Sequence, residues 1–131
     1  MTKVFLGGTC ANSKWRNKLI PLLKINYFNP IVSDWDKEAR KRELIERETC
    51  DYVLYTLTRA YSTYSIAEVV DDSNKRPLKT IVCIFNETVG DKYALNKQEL
   101  KHLNQVGELV KRNGGIYLQS LEEVADYLNN K

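Results

Sequence analysis

The chain has 131 residues, within the range of about 100–200 expected of one domain, and size scaling lets it bury roughly two thirds of its unfolded surface without disulfides or metals. A hydrophobic content of 43% and a charged content of 28% exclude a disordered or collagen-like chain. The formal charge of +3 divides into +4 over residues 1–65 and −1 over residues 66–131, too mild a bias to make a nucleic-acid polymer the partner.

Residues 3–6 form a short apolar run closed by Gly7, Gly8 and Thr9, and from Ser13 an apolar-periodic stretch follows with Trp15, Leu19, Ile20, Leu22 and Leu23. This predicts a strand, a glycine loop and a helix that Pro21 kinks or shortens. Residues 27–32 read as a second strand whose Pro30 marks an end or an edge, with Ser33 and Asp34 ending it and capping the next element. From Asp36 to Glu48 the residues are mostly good helix formers, with Leu44 and Ile45 as the few apolar anchors. The basic run from Lys37 to Arg42 is interleaved with Glu38 and Glu43, as on a solvated helix face.

Residues 51–57 supply a third strand rich in β-branched and aromatic residues, and Ser62 to about Asp72 reads as a helix. Residues 80–85 are nearly all apolar, as expected of a strand buried on both faces in the middle of a parallel sheet. The stretch Asn96–Arg112 has Leu100, Leu103, Val106, Leu109 and Val110 at helical spacing and a stop at Asn113, Gly114 and Gly115. A last strand over residues 116–119 leads into a helix that starts with the capping-box pattern Ser120-x-x-Glu123 and carries Leu121, Val124, Ala125 and Leu128.

The alternation predicts one α/β domain over residues 1–131: a doubly wound, five-stranded, mainly parallel sheet with helices on both faces, Rossmann- or flavodoxin-like. Such sheets bind ligands at the carboxyl ends of their strands, which directs attention to loops 7–16, 30–36, 57–68 and 86–94.

Cys10, Cys50 and Cys83 show no metal or redox spacing, and neither a signal segment nor an apolar run of roughly 18 residues is present, so a reducing, cytoplasmic setting is expected. The single histidine, His102, falls on a polar helix surface. Any catalysis therefore falls to carboxylates rather than to an imidazole.

The first loop brings backbone N–H groups to the start of a helix and suits an anion or sugar hydroxyls, although it matches neither GxGxxG nor GxxxxGK[ST]. Gly7 and Gly8 are equally the tight turn that leaves a strand, and Arg16 either pairs a phosphate or lies along the surface. The third loop places Tyr61, Ser62, Thr63, Tyr64, Ser65 and Glu68 after a strand, a set able to stack a base and bind a sugar. Ser65-x-x-Glu68 is also a capping box, which by itself accounts for both residues. The alternative is a carboxylate that the helix dipole and hydroxyl donors keep ionised, placed to attack a sugar. Glu43 and Glu46 lie three apart and Glu43 and Arg47 four apart, the spacing of a solvated ion-paired face.

In order along the chain, residues 4–9 (Val-Phe-Leu-Gly-Gly-Thr), Trp15-Arg16, Phe28-Asn29-Pro30 with Asp34-Trp35, residues 50–55 (Cys-Asp-Tyr-Val-Leu-Tyr) and residues 65–68 (Ser-Ile-Ala-Glu) resemble the nucleoside 2-deoxyribosyltransferase-like family over about the first 85 residues. The resemblance implies that Glu68 is the nucleophile on the anomeric carbon and that Glu43, eight positions before Asp51, exchanges a proton with the base. It implies a pocket beside Asp34 and Trp35, with Asn86 towards the sugar. It further implies that Gly7, Gly8, Ser62, Tyr64 and Ser65 line the substrate site and that Thr9, Ser13 and Arg16 are available to a 5′-phosphate.

The implied activity is cleavage of an N-glycosidic bond in a nucleoside or nucleotide, with transfer of the sugar to another base or to water. No metal or redox cofactor, no nucleic-acid polymer and no membrane enters it, and a homo-oligomer is expected by analogy. Phe5 stands where the transferases carry a tyrosine, and Ser62 where they carry an aspartate. The alternatives are a non-catalytic module for a nucleotide-derived ligand, in which Glu68 accepts from a ribose hydroxyl or only caps its helix, and an interaction protein that has kept the fold alone.

Overall fold

The computed structural model describes residues 1–32 and 34–131, so the expected part of Ser33 in a helix cap lies outside the described residues. Five parallel strands form one sheet in the order β2-β1-β3-β4-β7. They are β1 (Lys3–Gly8), β2 (Asn26–Phe28), β3 (Tyr52–Leu57), β4 (Thr80–Ile84) and β7 (Ile116–Leu118), with β5 (Thr88–Val89) and β6 (Lys92–Tyr93) forming a separate antiparallel hairpin. The helices are α1 (Trp15–Leu19), α2 (Lys37–Thr49), α3 (Thr63–Lys75), α4 (Lys97–Arg112) and α5 (Leu121–Asn129). The doubly wound α/β architecture expected from the alternation is the one observed, and the hairpin is an addition within loop 86–94.

Strand periodicity sorts the apolar residues onto the two faces. Val4, Leu6, Leu54, Ile81 and Cys83 pack with Trp15 and Leu19 of α1 and with Leu121, Val124 and Leu128 of α5. Phe5, Val53, Tyr55, Leu57, Val82 and Ile84 pack with Val69 of α3 and with Leu103 and Val110 of α4. Every residue of β4 is buried, as its continuous apolar sequence requires. No described helix is long and apolar enough to cross a membrane.

Three expectations are corrected. The second strand stops at Phe28 instead of reaching Val32, because Pro30 has no N–H for a ladder and the Asn29 side chain accepts from Ile31 N at 3.2 Å, turning the chain away. The cap of α2 is Asp36, whose carboxylate accepts from Ala39 N at 2.8 Å, and Asp34 is exposed outside the helix. Leu44 and Ile45 do not anchor α2: they are 46% and 50% exposed, whereas Glu46 and Arg47 are the buried residues of that helix.

Candidate active site

The chain leaves β1 towards β2 on one side and reaches β3 on the other, so the topological switch point falls between the carboxyl ends of β1 and β3. Two glycines let the backbone pass there. A Cβ on Gly7 would lie 2.7 Å from Tyr55 Cε1, and Gly8, at φ +117°, would place one 2.2 Å from Thr56 O. The space beside them is a cavity of about 550 Å³ between the first loop, α2 and the start of α3.

Phe5, Gly7, Gly8, Arg16, Trp35, Glu43, Tyr64, Ser65 and Glu68 all line this cavity, together with Cys10 and the apolar run Pro30, Ile31 and Val32. The remaining residues singled out in the sequence lie elsewhere. Thr9 and Ser62 share a hydrogen bond of 2.6 Å that ties the first loop to the third, and Thr9 Oγ1 also accepts from Thr58 N. Ser13 donates to Glu87 at 2.8 Å in a second cleft that also contains Arg59. The Asn86 side chain bonds both N and O of Leu95 and braces the β5–β6 hairpin. Trp35, 55% exposed, stands at the rim.

Arg16 does not lie along the surface. It is 6% exposed, and its guanidinium donates to Leu6 O at 3.1 Å, Thr9 O at 2.8 Å and, at the limit, Gly8 O at 3.5 Å, with its Cζ 4.4 Å from the Trp15 ring centroid. It thus braces the first loop while presenting an edge to the cavity.

The capping-box account of Ser65 and Glu68 is not met, because α3 begins at Thr63 with Ser62 as its N-cap, which places both residues inside the helix. Glu68 is 9% exposed and its carboxyl turns towards α2, where Oε2 lies 3.2 Å from Arg47 Nη1 without a hydrogen bond. Nor is it kept ionised by dipole and hydroxyl donors. Burial, and then the Glu43 carboxyl facing it, push Glu68 up to about 8, with Arg47 opposing them.

Arg47, expected only on a solvated face, does not line the cavity and meets Glu68 from behind it. Instead of an exposed pair with Glu43, it forms a buried one: Nε and Nη2 donate to Asp72 Oδ2 and Oδ1 at 3.3 and 3.1 Å. Asp72 is fully buried and also accepts from Tyr55 OH at 2.6 Å and Arg76 Nε at 2.9 Å. The available signal was spacing, since Arg47 follows Glu43 by four residues and Asp72 follows Glu68 by four, so each pair shares a helix face.

The result is a concave, largely apolar site at a doubly wound switch point, with two facing carboxyls, a buried arginine in its lining and a second behind Glu68, and aromatic side chains at its rim, the form of a small-molecule site. The chain belongs to the nucleoside 2-deoxyribosyltransferase-like family, whose model matches residues 1–88, a segment that contains every residue lining the cavity. Comparisons with curated proteins and with solved structures return no match.

Proposed function

We propose that the protein cleaves the N-glycosidic bond of a nucleoside or nucleotide and passes the sugar to another base or to water, with Glu68 as nucleophile and Glu43 as proton donor and acceptor. The observation that carries this reading is the pair of carboxyls, Glu43 and Glu68, in one cavity beside Arg47. Burial and the facing Glu43 carboxyl raise Glu68 to about 8, with Arg47 opposing them, so its ionised, attacking form grows in as pH rises towards that value.

One ionised and one protonated carboxyl is the requirement of a double-displacement glycosidic cleavage. Glu68 attacks the anomeric carbon as the carbon–nitrogen bond breaks; the bonding pair goes to the base nitrogen, which takes the proton from Glu43. A second base or a water then gives its proton to Glu43 and attacks the same carbon, releasing the Glu68 carboxylate. Trp35 and Tyr64 supply aromatic faces for the base at the rim. No metal or redox cofactor enters these steps.

The engagement of Arg16 by backbone carbonyls, and of Thr9 and Ser13 by other side chains, favours an uncharged nucleoside over a 5′-phosphate. A cytoplasmic setting and a homo-oligomer belong to the same reading, and the half-exposed Ile31 and Val32 at the rim are available to a second copy.

The test is incubation of the protein with deoxynucleosides, ribonucleosides and their monophosphates, with and without a second free base, and chromatography of the products. Exchanged nucleoside identifies transfer, and free base with free sugar identifies hydrolysis. Retention of full turnover by Glu68→Gln removes Glu68 as the nucleophile, and binding without release of base from any substrate contradicts the enzyme in favour of a binding module.

A further inference from the structure

A charged side chain buried at a site has to be held by something, and what holds Arg47 is unusually complete. Two of its nitrogens donate to the two oxygens of Asp72, and two further donors, Tyr55 OH and Arg76 Nε, converge on the same carboxylate. Four donors on one buried acceptor fix the guanidinium plane, since any rotation breaks the bidentate pair. Nη2 also lies 3.6 Å from the half-exposed Asp71 carboxylate, and only Nη1 is left over, 3.2 Å from Glu68 Oε2. The contact is Coulombic, because Oε2 makes no hydrogen bond and therefore depends on the placement of the cation.

We propose that Arg47 is a positioning residue for this site, presenting Nη1 to the Glu68 carboxylate while Asp72, Tyr55 and Arg76 hold its guanidinium in place. Its catalytic consequence rests on Glu68 being the reacting carboxylate, whereas the electrostatic one does not. The charged and titratable groups around Glu68 and its arginine are Glu43 and Arg47 on α2, Asp71 and Asp72 on α3, and Tyr55 on β3, with Arg16 of α1, Cys10 of the first loop and Tyr64 of α3 lining the same cavity. Of the two arginines, Arg16 is committed to carbonyls, so Arg47 is the cation placed to favour the ionised form of Glu68. A lysine keeps the charge and offers one nitrogen, which cannot serve both Asp72 and Glu68.

The experiment follows the Glu68 side-chain carboxyl by ¹³C NMR against pH in the wild-type chain, in Arg47→Lys and in Tyr55→Phe, alongside kcat and KM for whichever substrate turns over. Arg47→Lys is expected to raise the Glu68 midpoint by about one pH unit or more, roughly tenfold in proton affinity. Tyr55→Phe, which removes a donor from Asp72 and makes no hydrogen bond to Glu68, shifts it upward by less. In turnover, Arg47→Lys lowers kcat with little change in KM and moves the acidic limb of the pH profile in step with the NMR midpoint. Wild-type midpoints in both folded variants overturn the proposal, and if Arg47→Lys does not fold, Tyr55→Phe decides. Because the titration needs no substrate, absence of turnover counts against the proposed function and leaves this inference to the NMR result.

Discussion

Helices α2 and α4 lie over the sheet in the same fold and are anchored by opposite chemistry. Helix α4 turns Leu103 and Val110 inward, 2% and 0% exposed, and is closed at its start by a complete Asn96–Glu99 capping box. Helix α2 does the reverse: Leu44 and Ile45 are half exposed, while Glu46 and Arg47 are buried. Glu46 is held by Lys3 Nζ at 3.0 Å and by the Cys50 thiol, and Arg47 by Asp72 and Glu68. Burying charges costs far more than burying leucines unless each is paired. A helix that does so beside a cavity is therefore shaped by what the cavity needs, and α4 by what the core needs.

This contrast can be broken or sharpened. The largest effect belongs to the α2 side of the site: Glu43→Gln, nearly isosteric, is expected to lower kcat by about 10²–10⁴-fold, the range for loss of a general acid–base group, with folding unchanged by circular dichroism. On α4, Leu103→Ala is expected to cost about 2–5 kcal/mol of unfolding free energy in denaturant titration while turnover per folded molecule stays at the wild-type value. An equal loss of turnover there would erase the distinction between the two helices.

Glu46 and Glu87, held below the ordinary carboxyl value, make stability fall in acid, whereas Glu68 acts on the other side. Its folded value, near 8, lies above the ordinary carboxyl value of 4.5, so its contribution is complete below about 4.5 and is lost as pH rises through about 8. Glu68→Gln cannot ionise, so its melting temperature is expected to gain on the wild type steadily from pH 5 to pH 8. A constant difference across that range would contradict the burial and the facing Glu43 as causes. The smallest effect is at the outer face of α2, where Ile45→Ser is expected to change stability by no more than about 0.5 kcal/mol, in contrast to Leu103→Ala.

The same contrast explains what could be read from the amino-acid sequence. Strand alternation and the apolar stripe of α4 are local signals set by burial, and they placed β1, β3, β4 and α4 to within a residue or two. Glu68 and Glu43 emerged from the order of motifs, not from their spacing, which by itself suggested a cap and a solvated face. Arg47 and Asp72 stayed hidden because charge ordinarily marks the surface, and their burial depends on a partner 25 residues away on another helix. Leu44 and Ile45 misled for the complementary reason, since an apolar residue in a charged helix reads as an anchor until the tertiary partner of that face is known.

The most direct measurement is the site of covalent attachment. The protein is incubated with a 2-deoxy-2-fluoro nucleoside, whose glycosyl-enzyme turns over slowly, and then digested and mapped by mass spectrometry. The account predicts the sugar on the peptide containing Glu68, and its loss in Glu68→Gln. An adduct on Glu43, or base release that proceeds in Glu68→Gln at the wild-type rate, would contradict it.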